Sequence, residues 1–145
     1  MATQITELFY QAVHAVDSSI YSVPQKNAWA PKPINYKQWR ERLAIKKPFV
    51  IFDNQLVIGF IELEEDGHID CLYVHPQYQG LGVATQLVTY VIAQAKNRGL
   101  TALYVEASIV AKSLFEQCYF TVTKQNTIIR NDISLINFSM YRVLT

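Results

Sequence analysis

Residues Leu72-Tyr73-Val74-His75-Pro76-Gln77-Tyr78-Gln79-Gly80-Leu81-Gly82-Val83-Ala84-Thr85 run from a strand pattern, through a turn with two glycines, into a helix pattern. That order suits an anion. Glycine has no Cβ to keep the backbone away from a phosphate, and the first turn of a helix offers unpaired N–H groups at the positive end of its dipole. Thr85 adds a hydroxyl donor. The plainer reading is that Gly80 and Gly82 only make a tight connection, and short glycine motifs often do no more. Thr85 stands where the third glycine of GxGxxG would fall, and no GxxxxGK[ST] is present. Neither a dinucleotide-binding turn nor a P-loop therefore fits, and a different phosphate-bearing ligand is required.

The elements that must hold this turn follow from hydrophobic spacing. Ile5, Leu8, Phe9, Ala12, Val13 and Val16 recur at three- and four-residue steps, so the chain opens with a helix. Tyr21 to Pro33 contains Pro24, Pro31 and Pro33, which predicts a packed loop with a short helix. Asn35 is placed to cap a second helix through Ala44. The period then changes to two. Phe49 to Phe52 and Leu56 to Ile61, joined by Asp53-Asn54, read as a hairpin, and His68 to Val74 as a third strand stopped by Pro76. After Gly82 an amphipathic helix runs to Arg98 with Gly99 as its stop. Leu103 to Val105 reads as a short buried strand, Val110 to Gln117 as a helix, and the tail from Phe120 as two strands parted near Asn131-Asp132. The order predicts an α+β fold: a mixed, mostly antiparallel sheet flanked by helices, with one parallel crossover around the long central helix.

Composition narrows the class. The 145 residues fit one domain, 1–145, and 50% apolar with 17% charged residues describe a packed globular chain rather than a disordered one. A net charge of +1 lacks the Lys/Arg surplus of a nucleic-acid binder, so no nucleic-acid partner is expected. Cys71 and Cys118 have no CxxC spacing and are expected to be reduced. No apolar run approaches 18 residues and the first residues carry no secretory pattern, so the expectation is a cytoplasmic protein without a membrane partner and without a metal.

The turn Gln79-Gly80-Leu81-Gly82-Val83-Ala84 resembles the Gln/Arg-x-x-Gly-x-Gly/Ala signature of the GNAT superfamily of N-acetyltransferases. The preceding Leu-Tyr-Val-His-Pro strand end, and Val105-Glu106-Ala107-Ser108 through Ala111 to Phe120, resemble its flanking motifs; together the likeness covers residues 56 to 120. Asp66 to Asp70, Glu106 to Ser108 and Asn137 to Met140 are similar to a bacterial-type subgroup. The resemblance implies the GNAT-like fold and acetyl-CoA as co-substrate. It seats the pyrophosphate on the amides of Leu81, Gly82, Val83, Ala84 and Thr85, beside Gln79 and Gly80. It pairs the pantetheine arm with Leu72, Tyr73 and Val74, with Ser108 across from them, and places the thioester between that strand and the one containing Val105. The chain departs from the family at its start, where helical periodicity begins by Ile5 and leaves no room for the usual first strand.

The same likeness frames the proton chemistry. Aminolysis of a thioester needs a neutral amine, an oxyanion donor and a proton for the thiolate. A backbone amide near Tyr73 or Val74 is the oxyanion donor that the family implies. Many relatives carry a carboxylate or histidine on the strand leading to the pantetheine site, where His68 and Asp70 lie on one face by period two; Glu62 on the neighbouring strand is a third candidate. Each also has an ordinary role available, as a turn-flanking histidine, a strand-edge carboxylate or a solvated strand end. The family's thiolate-protonating tyrosine falls at Phe115, which has no proton to give, leaving Ser108, Cys118, Tyr119 or solvent. The acceptor, a small-molecule or peptide primary amine, is expected near Tyr10, His14, Tyr21, Trp29, Trp39 and the Thr127 to Phe138 region. An acetyl-CoA-binding sensor without turnover is the alternative function, and a homodimer stays open.

Overall fold

A computed structural model describes residues 1–145. Helix α1 spans Ala2–His14 and buries Ile5, Leu8, Phe9, Ala12 and Val13, the stripe that its spacing predicts. Between the prolines, α2 (Val23–Trp29) forms because Ser22 and Gln25 make a reciprocal capping box and Pro24 sits in the first turn, where its missing N–H is harmless. Helix α3 (Tyr36–Lys46) starts on Asn35, whose side-chain oxygen accepts from Gln38 N–H at 3.0 Å, and stops at Lys47 in the left-handed region.

Three antiparallel strands follow: β1 (Phe49–Asp53), β2 (Leu56–Leu63) and β3 (His68–Val74). A 3-10 turn at Pro76–Tyr78 leads to α4 (Val83–Asn97), and then come β4 (Ala102–Ser108), α5 (Ile109–Gln117), β5 (Thr121–Arg130) and β6 (Ile133–Val143). The sheet order is β1-β2-β3-β4-β6-β5, and only the β3–β4 pair is parallel. This is the mixed α+β architecture that the pattern predicts. The first element is α1, as the early helical spacing predicts.

The two faces of the sheet carry separate apolar clusters. Ile61, Ile69, Leu87, Val91, Val105 and Phe115 belong to the one beneath α4 and α5; Leu8, Phe9, Val13, Leu43, Val57 and Phe60 belong to the one beneath α1 and α3. Gly59 permits α4 to lie close on β2: a Cβ there would stand 2.9 Å from Val83 Cγ1 and 3.0 Å from Leu87 Cδ1. Strand β4 is longer than the three residues expected, because β6 pairs with all seven, from Ala102↔Val143 to Ser108↔Asn137. Its alternation of buried Leu103, Val105 and Ala107 with exposed Tyr104 and Glu106 is an ordinary half-covered strand.

Two irregularities matter for the site. Along β2 and β3, Ile61 pairs with Leu72 while Leu63 pairs with Ile69, so Glu62 alone faces the two residues Asp70 and Cys71. That bulge puts Asp70 and Cys71 toward the same side. Between β3 and β4 only His68↔Tyr104 and Ile69↔Val105 are in register, and beyond them the two strands part.

Candidate active site

The parting of β3 and β4 leaves the Leu72–Val74 edge of β3 without a strand partner on that side, while its other edge is paired with β2 through Ile61, Phe60 and Gly59. Two cavities meet at this opening. One, of about 320 Å³, lies along Val74, Gln79, Gly80 and the start of α4. The other, of about 220 Å³, lies over β3 and β4 beneath the β5–β6 hairpin. Trp29, Leu72, Tyr73, Ser108 and Ala111 line both, so the two spaces adjoin at the parted strands.

The larger cavity ends on the glycine turn. Gly80 and Gly82 have φ of 77° and 82°, where an L side chain is strained, and a Cβ built at either would meet nothing within 4 Å. The backbone there faces open space. Helix α4 has no side-chain cap, and its first helical bond runs from Gln86 N–H to Gly82 O at 3.0 Å, so the N–H groups of Val83, Ala84 and Thr85 precede the hydrogen-bonded ladder. Their dipoles converge on the cavity mouth. Leu81, exposed beside them, does not line either cavity; Gln79, Gly80, Gly82, Val83, Ala84 and Thr85 all do. The donors for a pyrophosphate and an apolar groove for an aliphatic arm are both present.

The smaller cavity has a charged floor. Arg42 on α3 reaches Glu62 Oε1 at 2.6 Å, Asp70 Oδ2 at 2.8 Å and Cys71 Sγ at 3.2 Å through Nη2. Lys46, one turn on, donates to the same Asp70 oxygen at 2.8 Å and stands 3.4 Å from Glu64 Oε1. His68 is bracketed by Glu64 Oε1 at 2.6 Å from Nδ1 and Glu106 Oε1 at 2.9 Å from Nε2. Three carboxylates thus engage two fixed cations, and the fourth, Glu106, pairs with His68. Burial favours the neutral imidazole, but the bonds to Glu64 and Glu106 outweigh it and raise the His68 pKa above 6.5. For Asp70 burial favours the acid form, and Lys46 and Arg42 outweigh it, holding the carboxyl below its ordinary value. Burial, reinforced by Glu62, keeps the Cys71 thiol protonated. Glu64, His68 and Asp70, and likewise Glu62, Asp70 and Cys71, hold ligand-type atoms within 4.8 Å, but Arg42 and Lys46 already engage these carboxylates and no ion is assigned to them.

The sequence candidates therefore separate. His68 and Asp70 both line the smaller cavity, whereas Glu62 is 0% exposed behind Arg42 and lines neither. Of the aromatic residues expected near the acceptor, Tyr21 and Trp29 line this cavity. Tyr10 is buried with His14 stacked on it, and Trp39 packs on Phe9, so these three belong to the helical side of the core or its rim. The Tyr21 hydroxyl accepts from Ile109 N–H at 2.8 Å and donates to Ile136 O at 3.0 Å, fixing α5 against β6. Phe115 lines the cavity, packed edge-on to Phe120, and offers no proton. Cys118 and Tyr119 line neither space, the latter 80% exposed at φ 67°. Ser108 lines both; its Oγ caps α5 by accepting from Ala111 N–H at 3.1 Å, which leaves its own proton free to donate. Arg42, Lys46 and Glu64 were invisible to sequence reasoning as site residues, since α3 shows no feature beyond a capped helix.

The acetyltransferase (GNAT) domain family matches residues 11–142. The uncharacterised N-acetyltransferase YafP of Escherichia coli K12 is 35% identical over 137 residues, which cover 94% of this chain and 86% of that protein. A GCN5-related N-acetyltransferase from Rhodopseudomonas palustris superposes with a TM-score of 0.91 at 29% identity, over 99% of this chain and 89% of that one. The acetyltransferase YncA of Salmonella typhimurium, solved with acetyl-CoA, superposes with a TM-score of 0.72 over 99% of this chain and 88% of its own, at an identity of 19% that speaks to the fold alone. A family match that spans the parted strands, the glycine turn and α4, joined to a relative aligned along nearly the whole length, places the chain in the GNAT superfamily as an N-acetyltransferase.

Proposed function

We propose that the chain transfers the acetyl group of acetyl-CoA directly to a primary amine, with the co-substrate in the larger cavity and the amine in the smaller one. The observation that carries this reading is the opening lined from both sides by Trp29, Leu72, Tyr73, Ser108 and Ala111, which lets two ligands meet end to end. The pyrophosphate lies on the N–H groups of residues 81–85, and the pantetheine arm adds to the free edge of Leu72–Val74 as a strand would. The thioester then stands at the opening, its carbonyl oxygen toward a backbone N–H near Tyr73 or Val74.

In the transfer, the amine nitrogen bonds to the acetyl carbon, the C–S bond breaks, and coenzyme A leaves as thiolate. The proton lost by the incoming ammonium passes to His68, with Asp70 the second acceptor. His68 is four residues from Leu72, about 13 Å along a strand, so a chain of waters relays the proton. Asp70 is the weaker base, because two cations stabilise its charge. Glu62 serves as a positioning residue by holding Arg42. Ser108 passes a proton from solvent to the thiolate, keeping its own hydroxyl protonated, and is the only one of the side-chain alternatives to Phe115 that reaches the opening.

Thiol release from acetyl-CoA on a panel of small amines and peptides tests the reading, alongside thermal shifts with acetyl-CoA, NADH and ATP. A stabilisation confined to acetyl-CoA, with release on at least one amine, is expected. Equal shifts from all three ligands remove the co-substrate assignment, and binding with no release on any amine favours the sensor.

A further inference from the structure

The smaller cavity has a second electrostatic pole that the transfer chemistry does not use. Arg130, the last residue of β5 and exposed at the hairpin tip, lines it together with Asp70, His68 and Glu106, and no carboxylate forms an ion pair with it. Its position is fixed rather than incidental. Asn131 and Asp132, at φ 49° and 62°, make a two-residue turn that sets Arg130 directly opposite Ile133. The strand after that turn is tied to the helical side of the molecule at two points, by Gln25 Nε2 donating to Ser134 O at 2.9 Å and by Tyr21 Oη donating to Ile136 O at 3.0 Å. The hairpin tip is thus clamped over the cavity as a roof with a cation in it. The field of that cation reaches the opening: burial drives the Tyr73 phenol well above its ordinary pKa, and Arg130 is among the groups that pull against the rise. Between the poles the wall is apolar, formed by Ile128, Leu135, Tyr21 and Trp29.

A cavity of about 220 Å³ with an unpaired guanidinium in its lining, apolar walls and the parted strands at its edge is complementary to a small amine that carries a carboxylate. We propose that the acceptor is a primary amine that carries a carboxylate, such as an ω-amino acid with an apolar chain between its two ends, its amine at the opening beside Leu72 and Ser108 and its carboxylate paired with Arg130. This rests on the acetyl-transfer reading and goes further by naming what the acceptor must bear. A guanidinium recognises a carboxylate through a fork of two N–H donors, a charge-assisted contact that a neutral substituent cannot replace. A peptide amino terminus, whose nearest carbonyl is an amide, leaves that fork unpaired.

The test compares acids with their decarboxylated partners: 4-aminobutyrate with propylamine, 5-aminopentanoate with butylamine, 6-aminohexanoate with pentylamine, and 4-aminobutyramide as the neutral isostere. The readout is thiol release from acetyl-CoA, with thermal shift in the presence of coenzyme A as a second readout that needs no turnover. At least one acid is expected to exceed its partner tenfold or more in kcat/KM, chiefly through KM. Arg130→Gln is expected to shrink that ratio toward one, and Arg130→Lys to keep part of it. Partners handled as well as the acids in both readouts, or a preference that survives Arg130→Gln, overturn the proposal while leaving acetyl transfer intact. Failure of acetyl transfer itself shows differently, as absence of any acetyl-CoA-dependent shift or release.

Discussion

Gly82 allows the co-substrate seat to be tested with a pair of variants that differ in charge and hardly in shape. Asn and Asp are the two residues other than glycine that best tolerate a φ near the 82° found there, and no atom lies within 4 Å of a Cβ at this position, so neither variant clashes. The backbone strain is about 1 kcal/mol for both. In the free protein the Asp carboxylate stands at the uncapped start of α4, where the helix dipole returns about 0.3–1 kcal/mol. Gly82→Asp is therefore expected to be no less stable than Gly82→Asn. With coenzyme A bound the sign reverses. A carboxylate about 5 Å from one phosphate charge is opposed by about 0.8 kcal/mol with the screening of bulk water and about 3.3 kcal/mol at an effective dielectric of 20. The seat opens to solvent, so a penalty of roughly 1.4–3 kcal/mol is expected, about 10- to 100-fold in Kd beyond the Asn variant. Titration calorimetry with coenzyme A at low and moderate ionic strength reads this directly, and the gap between variants should narrow as salt rises. Equal affinities for the Asp and Asn variants, both folded, would refute a pyrophosphate at this turn.

The remaining predictions concern the charged floor and the proton path. If neutral His68 takes the amine proton, the acidic limb of kcat/KM lies above pH 6.5, because the folded-state pKa is raised, and His68→Gln removes that limb while lowering turnover about 10²-fold or more. The same shift makes His68 a source of stability that is fully present below pH 6.5 and lost as pH rises through its folded pKa. Asp70 behaves oppositely, contributing above pH 3.8 and losing its contribution as pH falls through its depressed folded value; urea unfolding across pH resolves both. Arg42→Leu strands the buried Glu62 carboxylate and is expected to destabilise by about 3 kcal/mol, the low end for a broken buried pair because Arg42 is one-third exposed. Adding Glu62→Gln to that variant should restore part of the loss, and a simple sum of the two single effects would deny the coupling. Ser108→Ala is expected to lower stability by about 1 kcal/mol through the lost α5 cap and to slow turnover, whereas Ser108→Thr keeps both hydroxyl roles. Unchanged kcat in Ser108→Ala on a proven acceptor would hand the thiolate proton to solvent.

Local physics made most of the elements legible. Apolar steps of three and four marked α1 and α4, Asn35 marked the start of α3, and Asn131-Asp132 marked the β5–β6 turn, because each signal and its consequence lie within a few residues. The glycine turn was readable for the same reason. The floor of the acceptor cavity was not. Asp70 meets cations 24 and 28 residues away in sequence, on a helix that shows no sign of them, and the β2–β3 bulge that gathers Glu62, Asp70 and Cys71 comes from strand register. Glu62, in a run of acids that reads as solvated, is instead fully buried because Arg42 comes to it. Tyr10 and Trp39 looked like acceptor contacts, but their aromatic neighbours in the second apolar cluster claim them. Arg130 carried no local signal, since its place depends on a hairpin held by α2.

Gly59 sits outside every catalytic and binding assignment, yet it works as a length gauge. The residue that its missing Cβ would strike is Val83, the first of α4, so the closeness of β2 to the helix sets how far the amides of the turn stand from the parted strands. A ligand anchored at one end by phosphates and cut at the other at its thioester has a reach fixed by its own covalent skeleton. A methyl group at position 59 would push the helix start outward by a few tenths of an ångström while the strand edge stays in place. The anchor and the point of reaction would then be separated by the wrong interval, and the defect would show as misplaced chemistry rather than as weak attachment.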